Sequence, residues 1–320
     1  GGATGFLVGQ ENAGMACMFT MMNRARLAVG LQGVGVAECA TQQAFAYARE
    51  RRQGRTAAMP PTQSAPIIAH PDVRRMLLSM RALTQAARAI CYATAIALDR
   101  SECSPDETAR KTAHERASLL TPVAKAFSTD IGVEVASASV QVHGGMGYIE
   151  ETGAAQLYRD ARIAPIYEGT SGIQAIDLVT RKLPLAGGAT IAAHLEELRG
   201  IVEAVNASND PAFGWAPVRL GEAIESFERA TNWLLAHLDK DTDAALAGAS
   251  PYLRLFGVAT GGCLLAQQAL AARRLGEEAA PRLALARFFA ENFAVQAGAL
   301  ERIIVEGGPG VIGADAALSS

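Results

Sequence analysis

Three short segments of this chain carry residue types whose spacing suits chemistry. The first is Arg49-Glu50-Arg51-Arg52-Gln53-Gly54, where arginines at 49, 51, 52 and 55 form a positive patch suited to phosphate. Taken alone, such a run reads more simply as a solvated helix end. The second is Gln141-Val142-His143-Gly144-Gly145-Met146-Gly147, whose glycines end a helix and bare the backbone to a flat or anionic ligand. On its own it is equally well a glycine-rich helix terminus. The third is Tyr167-Glu168-Gly169-Thr170-Ser171, which follows the apolar run Ile163-Ala164-Pro165-Ile166. A carboxylate in apolar surroundings is pushed by desolvation toward the range that a general base needs. A lone Glu before a helix is also an ordinary N-terminal charge.

These segments must be positioned by helices. From Glu11 to about Gln53 the chain runs without proline and is rich in Ala, Met, Val and Leu, which predicts a long helix. Gly30, Gly33 and Gly35 would let a second helix come close. Residues 54–69 hold three prolines and read as a loop. A second helix is expected over 71–100, with a turn at 101–104. Ser104-Pro105-Asp106-Glu107 offers an N-cap Ser, a first-turn Pro and a Glu three residues on. The apolar stripe Leu120, Val123, Phe127, Ile131 and Val135 then carries a third helix into the glycines at 144–147. A shorter helix over 151–162, a tight segment at 165–171 and a last helix to about 183 follow. Residues 184–189 read as a linker. Beyond it lie four helical patterns, at about 190–206, 217–239, 251–275 and 281–305. The third opens on a Ser250-Pro251 cap, and the set suggests a second, antiparallel bundle.

Composition agrees with an all-α chain. It has 320 residues, 50% hydrophobic and 19% charged, with a net charge of −3, enough for two helical cores and too balanced for disorder. No basic run gives a nucleic-acid footprint. No apolar run of membrane-spanning length is read from the sequence. Cys17, Cys39, Cys91, Cys103 and Cys263 are scattered without metal-site spacing, and read as small buried hydrophobes in a reducing, cytoplasmic compartment. No metal site is expected. His70, His114, His194 and His237 read as surface or capping residues, His143 as a helix-end histidine bonded to backbone, and Trp215 and Trp233 as core anchors. The opening Gly1 to Gly9 reads as a short strand beginning in mid-structure, with no initiator Met or signal peptide. A fragment or processed product is therefore expected.

Taken together and in this order, the segments resemble the acyl-CoA dehydrogenase family. His143-Gly144-Gly145-Met146-Gly147-Tyr148, then Tyr158-Arg159-Asp160-Ala161-Arg162, then Ile166-Tyr167-Glu168-Gly169-Thr170-Ser171 form a highly specific signature, and the likeness covers roughly residues 3–183. Residues 190–320 are similar to the extra helical domain of larger bacterial members. The resemblance divides the chain into the end of a middle strand domain (1–10), the family's C-terminal helical domain (11–185) and an additional helical domain (186–320).

The resemblance implies FAD as cofactor and an acyl-CoA thioester as substrate, with trans-2-enoyl-CoA as product. Glu168 falls on the base that takes the α-proton, while the β-hydride leaves to the flavin. Asn23, Arg26 and Gly169 fall on the substrate side, Arg26 near the CoA portion. Arg51, Gln53, Gln141, Gly144, Gly145 and Thr170 fall on FAD contacts. Those of Arg51 and of Gln141 to Gly145 are made to a neighbouring subunit's FAD, so a homodimer or higher homo-oligomer is implied. An electron-transfer flavoprotein is the implied electron acceptor. Three departures bear on adenine recognition: Gly54 directly after Gln53, His143 in place of an apolar residue, and Gly172 where many members have Gln. An acyl-CoA oxidase shares the fold, and a non-catalytic helical assembly module is the third reading. The intact Tyr167 to Ser171 segment speaks against the last. With the preceding domains absent, the chain alone is expected to bind FAD weakly and to show no turnover.

Overall fold

The computed structural model describes residues 1–56, 60 and 63–319, with side chains left undescribed at 19, 20 and 23. Three long helices form the first bundle: α1 (Gly14–Glu50), α2 (Pro71–Cys103) and α3 (Glu107–His143). α1 and α3 approach closely because neither carries a side chain at the crossing. A Cβ on Gly30 would stand 2.5 Å from the Ala124 carbonyl oxygen, and one on Gly33 would stand 2.5 Å from that of Ser128. Gly132 meets Gly33 from the facing helix. Gly35, expected to share this role, faces open space.

α3 begins at a different cap from the expected one. α2 runs on to Cys103 and takes Ser104 as its own C-cap, so the N-cap falls on Asp106, whose carboxylate accepts from the Ala109 amide at 2.7 Å. At the other end α3 stops at Gly144, where φ is +62°. Short helices α4 (Gly145–Tyr148), α5 (Ala154–Ala161) and α6 (Ser171–Asp177) then fold back along α3. α6 runs into one wide turn, Leu178–Lys182.

The second bundle comprises α7 (Ala189–Ala207), α8 (Ala216–His237), α9 (Thr242–Ala247), α10 (Ala249–Arg274), α11 (Ala280–Asn292) and α12 (Ala297–Glu306). Two short helices close the chain, α13 (Gly308–Ile312) and α14 (Asp315–Leu318). The helix expected over 281–305 is broken at Phe293, which leads into a single 3-10 turn. α10 is central. It packs on α7, α8, α11 and α12 and also on α2, α3 and α6, so both bundles share one continuous core. Its glycines permit this, since Gly257 abuts the Phe127 ring, Gly261 abuts Ala86, and Gly262 abuts Leu220 and Phe289.

Against the expectation of no apolar run of spanning length, α10 is long and apolar enough to cross a membrane, with a mean hydropathy of 1.4 over an 18-residue window. Helices surround it, and 78% of that apolar window is buried, the environment that makes a helix apolar on every face.

Several other expectations are corrected. Residues 1–8 form no strand, and Phe6, Leu7 and Val8 are exposed, because no described strand lies beside them to complete a ladder. Trp215 is 63% exposed at the start of α8, while Trp233 does pack on the core. His194 is buried, its ring stacked on Phe256 and its Nε2 2.9 Å from the Thr260 hydroxyl. Cys91 and Cys263 are buried as expected, but Cys17, Cys39 and Cys103 are exposed.

Candidate active site

Glu168 sits in the turn between α5 and α6, and its backbone is unusual. Its φ is +55°, in the left-handed region, and Gly169 follows at +84°. For a residue with a Cβ this region costs about 1–2 kcal/mol, so the surrounding structure must hold it there. The holding groups are identifiable. The Lys125 ammonium, fully buried on α3, donates to the Gly169 carbonyl at 2.8 Å. The Ser171 hydroxyl donates to Asp130 Oδ1 at 2.9 Å, and the Ser171 amide donates to the Pro165 carbonyl at 2.9 Å. Buried Gln174 reaches back from α6 to the Glu168 carbonyl at 3.4 Å. A Cβ on Gly169 would stand 2.7 Å from that Gln174 amide nitrogen, so the position suits glycine in both conformation and space. Thr170 caps α6, its hydroxyl accepting from the Ile173 amide at 3.2 Å. The Tyr167 hydroxyl bonds to Gln32 of α1.

The buried groups beneath this turn have shifted acidities. Burial pulls the Lys125 ammonium down to about 8, with Arg26 adding to the shift and Asp130 and Glu168 opposing it. Burial raises Asp130, against the Ser171 hydrogen bond and the charges of Arg254, Lys125 and Arg162. Glu168 is only partly buried, and Ile163, Ile166, Ile173 and Ile176 in the flanking segments are exposed. The apolar enclosure expected around Glu168 is thus incomplete in this chain.

Arg26 is buried and ion-paired with Asp177 at 3.4 Å, and Asp177 also holds Arg181 at 2.6 Å. In this conformation its guanidinium is buried in the bundle beside Asp177. Asn23 lies on α1, and its side chain is outside the described residues.

The remaining predicted residues gather at the other end of the bundle. Tyr47 stacks on His143 with ring centroids 4.4 Å apart, which joins the ends of α1 and α3. His143 Nδ1 lies 2.7 Å from the Ser139 carbonyl, the expected backbone bond. Arg51 and Gln53 follow α1, both exposed, with Arg51 Nη2 donating to Gln53 Oε1 at 3.1 Å. Their strand-like turn is pinned by Gln53 N to Ala65 O at 2.9 Å, by Ile67 N to Arg51 O at 2.8 Å, and by His70 Nε2 on the Gln53 carbonyl at 2.7 Å. Gln141, Gly144 and Gly145 are exposed, and no heavy atom lies within 4 Å of where either glycine's Cβ would stand. Fourteen residues of α3 separate Asp130 from Gly144, about 21 Å at 1.5 Å per residue. The structure therefore brings Glu168, Gly169 and Thr170 together, and Arg51, Gln53, Gln141, Gly144 and Gly145 together, in two separate places.

Lys125 was missed in the sequence. Its only signal is a lysine flanked by Val123, Ala124, Ala126 and Phe127 on an apolar stripe. An open cleft of about 1050 Å³ between the α2–α3 turn and the second bundle holds none of the predicted residues; Ile96, Arg100, Cys103, Arg116 and Glu197 line it.

The likeness to known proteins agrees with this architecture. Residues 12–183 match the acyl-CoA dehydrogenase C-terminal domain model, and residues 189–315 match an acetyl-CoA dehydrogenase C-terminal-like model. The chain belongs to the acyl-CoA dehydrogenase family. It is 46% identical over 316 residues to 3-methylmercaptopropionyl-CoA dehydrogenase of Ruegeria pomeroyi, covering 97% of this chain and 53% of that protein. It is 29% identical over 310 residues to a broad-specificity linear acyl-CoA dehydrogenase of Mycobacterium tuberculosis, covering 91% of this chain and 50% of that one. The chain thus spans about half the length of these relatives. Among solved structures, an acyl-CoA dehydrogenase of Bacillus anthracis complexed with FAD shares the fold, with a TM-score of 0.73 at 18% identity, covering 94% of this chain and 51% of that one. Caenorhabditis elegans ACDH-11 in complex with C11-CoA gives 0.73 at 19% identity, covering 93% and 49%.

Proposed function

We propose that this chain supplies the base and part of the cofactor and thioester contacts of an FAD-dependent acyl-CoA dehydrogenase that forms trans-2-enoyl-CoA. The observation that carries the reading is the Glu168 turn, a carboxylate in a strained backbone conformation fixed by groups from α3 and α6. A scaffold gains nothing from that strain. A base that must meet one α-proton does, because misplacement by an ångström costs much of the rate.

In this reading the Glu168 carboxylate takes the α-proton of the acyl thioester as the β-hydride departs from the opposite face of the chain. The exposed isoleucines of the flanking segments offer apolar surface to the acyl chain, which keeps water from the carboxylate once substrate is seated. When bound, FAD supplies the acceptor for the hydride. The residues present fit that cofactor: exposed Arg51 offers a guanidinium to the pyrophosphate, and the open backbone at Gly144 and Gly145 lets a flat group approach. Gln53 and Gln141 stand beside them with free surface, and Thr170 lies near the base. Because the Arg51–Gly145 end is remote from Glu168 along α3, it serves the FAD of a neighbouring subunit in a homodimer or higher homo-oligomer. Asn23 and Arg26 take the CoA portion once Arg26 leaves Asp177.

The test is the anaerobic visible spectrum of the complete gene product during addition of a panel of acyl-CoAs. Flavin bleaching with formation of a 2-enoyl-CoA supports the reading, and a flavin that no acyl-CoA bleaches removes it. Reoxidation by an electron-transfer flavoprotein rather than by oxygen separates dehydrogenase from oxidase.

A further inference from the structure

Among the described residues, Lys125 is the only lysine or arginine with no solvent-exposed surface, and the proposed chemistry gives it no part. Burying an ammonium is unfavourable unless it is hydrogen-bonded and meets opposite charge. Lys125 spends its hydrogen bond on one backbone atom, the carbonyl of the residue after Glu168, at 2.8 Å. We propose that Lys125 is the positioning residue of the active site, with its buried ammonium holding the Gly169 carbonyl so that Glu168 stays in its left-handed conformation.

Three observations support this. The turn has two tethers to α3, Lys125 to Gly169 within the region of positive φ and Asp130 to Ser171 just after it. Neutral partners could hold the backbone as well, yet Lys125 carries a charge that interacts with the Glu168 carboxylate. The groups around the ammonium from every packed element are Asp130 on α3, Arg26 on α1 with its partner Asp177 on α6, and Glu168 on the turn, with Arg254 and Arg162 beyond Asp130. Burial brings the ammonium to about 8, so it remains mostly charged at neutral pH and loses that charge as pH rises past about 8.

The proposal rests on Glu168 being the base, and the experiment separates the two ideas. Lys125→Met and Lys125→Gln are made in the complete gene product, and three quantities are read: flavin reduction rate against pH, the KM for acyl-CoA, and amide hydrogen exchange of the peptide spanning 163–174. Lys125→Met is expected to slow reduction about 10- to 100-fold, the loss typical of one charge-assisted hydrogen bond, with KM changed less than threefold. Exchange in the 163–174 peptide rises, while that of α10 does not. Lys125→Gln keeps a donor without the charge: it is expected to restore most of the exchange protection and to abolish the fall in rate that the wild type shows as pH rises past about 8.

Wild-type rates and wild-type exchange in both variants would overturn the proposal, as would a loss confined to KM. If Lys125→Met does not fold, Lys125→Gln decides by the same readouts. If wild-type protein bleaches with no acyl-CoA, the dehydrogenase reading fails, and the exchange comparison alone decides whether Lys125 holds the turn.

Discussion

The join between the two bundles contains an ion pair whose contribution can be worked out. Arg116 on α3 meets Glu197 on α7 through both guanidinium nitrogens, one contact measuring 2.9 Å. Burial alone would raise Glu197, but the neighbouring His194 and the Arg116 hydrogen bonds and charge outweigh it and hold the carboxyl at about 2, against an ordinary 4.5. That depression corresponds to roughly 3 kcal/mol before screening. The carboxylate is 31% exposed, and solvent screening reduces the contribution to about 1–2 kcal/mol. The sign follows from the depressed value: the stabilisation is fully present above pH 4.5 and disappears as pH falls toward 2. Glu197→Gln is therefore expected to lower the melting temperature at pH 7 by about 2–6 °C. The gap between variant and wild type should shrink as pH falls toward 2. Buried His194 is depressed mainly by burial and adds its own loss of stability as pH falls below 6.5; Glu197 opposes that depression, so the variant carries the larger His194 loss and the shrinkage sets in only once Glu197 itself takes up its proton. Circular dichroism melts from pH 7 to pH 2.5 supply the measurement. A constant gap across that range, or none at pH 7, would refute the reasoning.

Further predictions concern the helix crossing and the turn. Gly33→Ala places a methyl group 2.5 Å from a backbone oxygen of α3, so the helices must part, at a cost of about 1–3 kcal/mol seen as a lower urea midpoint. Gly35→Ala, two residues on, meets open space and should hold or slightly raise that midpoint, since alanine is the better helix former. Equal effects at the two sites would contradict the crossing geometry. Gly169→Ala forces a side chain into φ +84° against the Gln174 amide. It should slow flavin reduction at least tenfold and lower the melting temperature by about 2–6 °C, and a wild-type rate would show that the turn is not held for chemistry.

Much of this was legible in the sequence, for physical reasons that differ between elements. α3 was readable because its apolar stripe is regular and Gly144 ends it with a positive φ. Its start was misplaced by two residues, since Ser104 and Asp106 are both good caps and only the length of α2 decides between them. Gly30 and Gly33 read correctly as a close approach, whereas Gly35 lies on the other face of the same helix. His194 was misread although it falls among Ile191, Leu195, Leu198 and Val202, a stripe that places it inside. The site followed a similar division. Glu168, Gly169 and Thr170 were found as one local segment, while their supports Lys125 and Asp130 lie about forty residues earlier and join them only through tertiary packing. The separation between the Glu168 turn and the Arg51–Gly145 end was likewise invisible until α3 gave it a length.

The most direct test of the account is rapid-mixing flavin reduction by acyl-CoA in the complete gene product, wild type against Glu168→Gln, with thioester binding measured in parallel. The account predicts that the variant binds acyl-CoA with similar affinity and loses flavin reduction by at least a thousandfold, on the order of 4 kcal/mol of transition-state stabilisation. Reduction by Glu168→Gln within tenfold of wild type would place the base elsewhere and contradict the central claim.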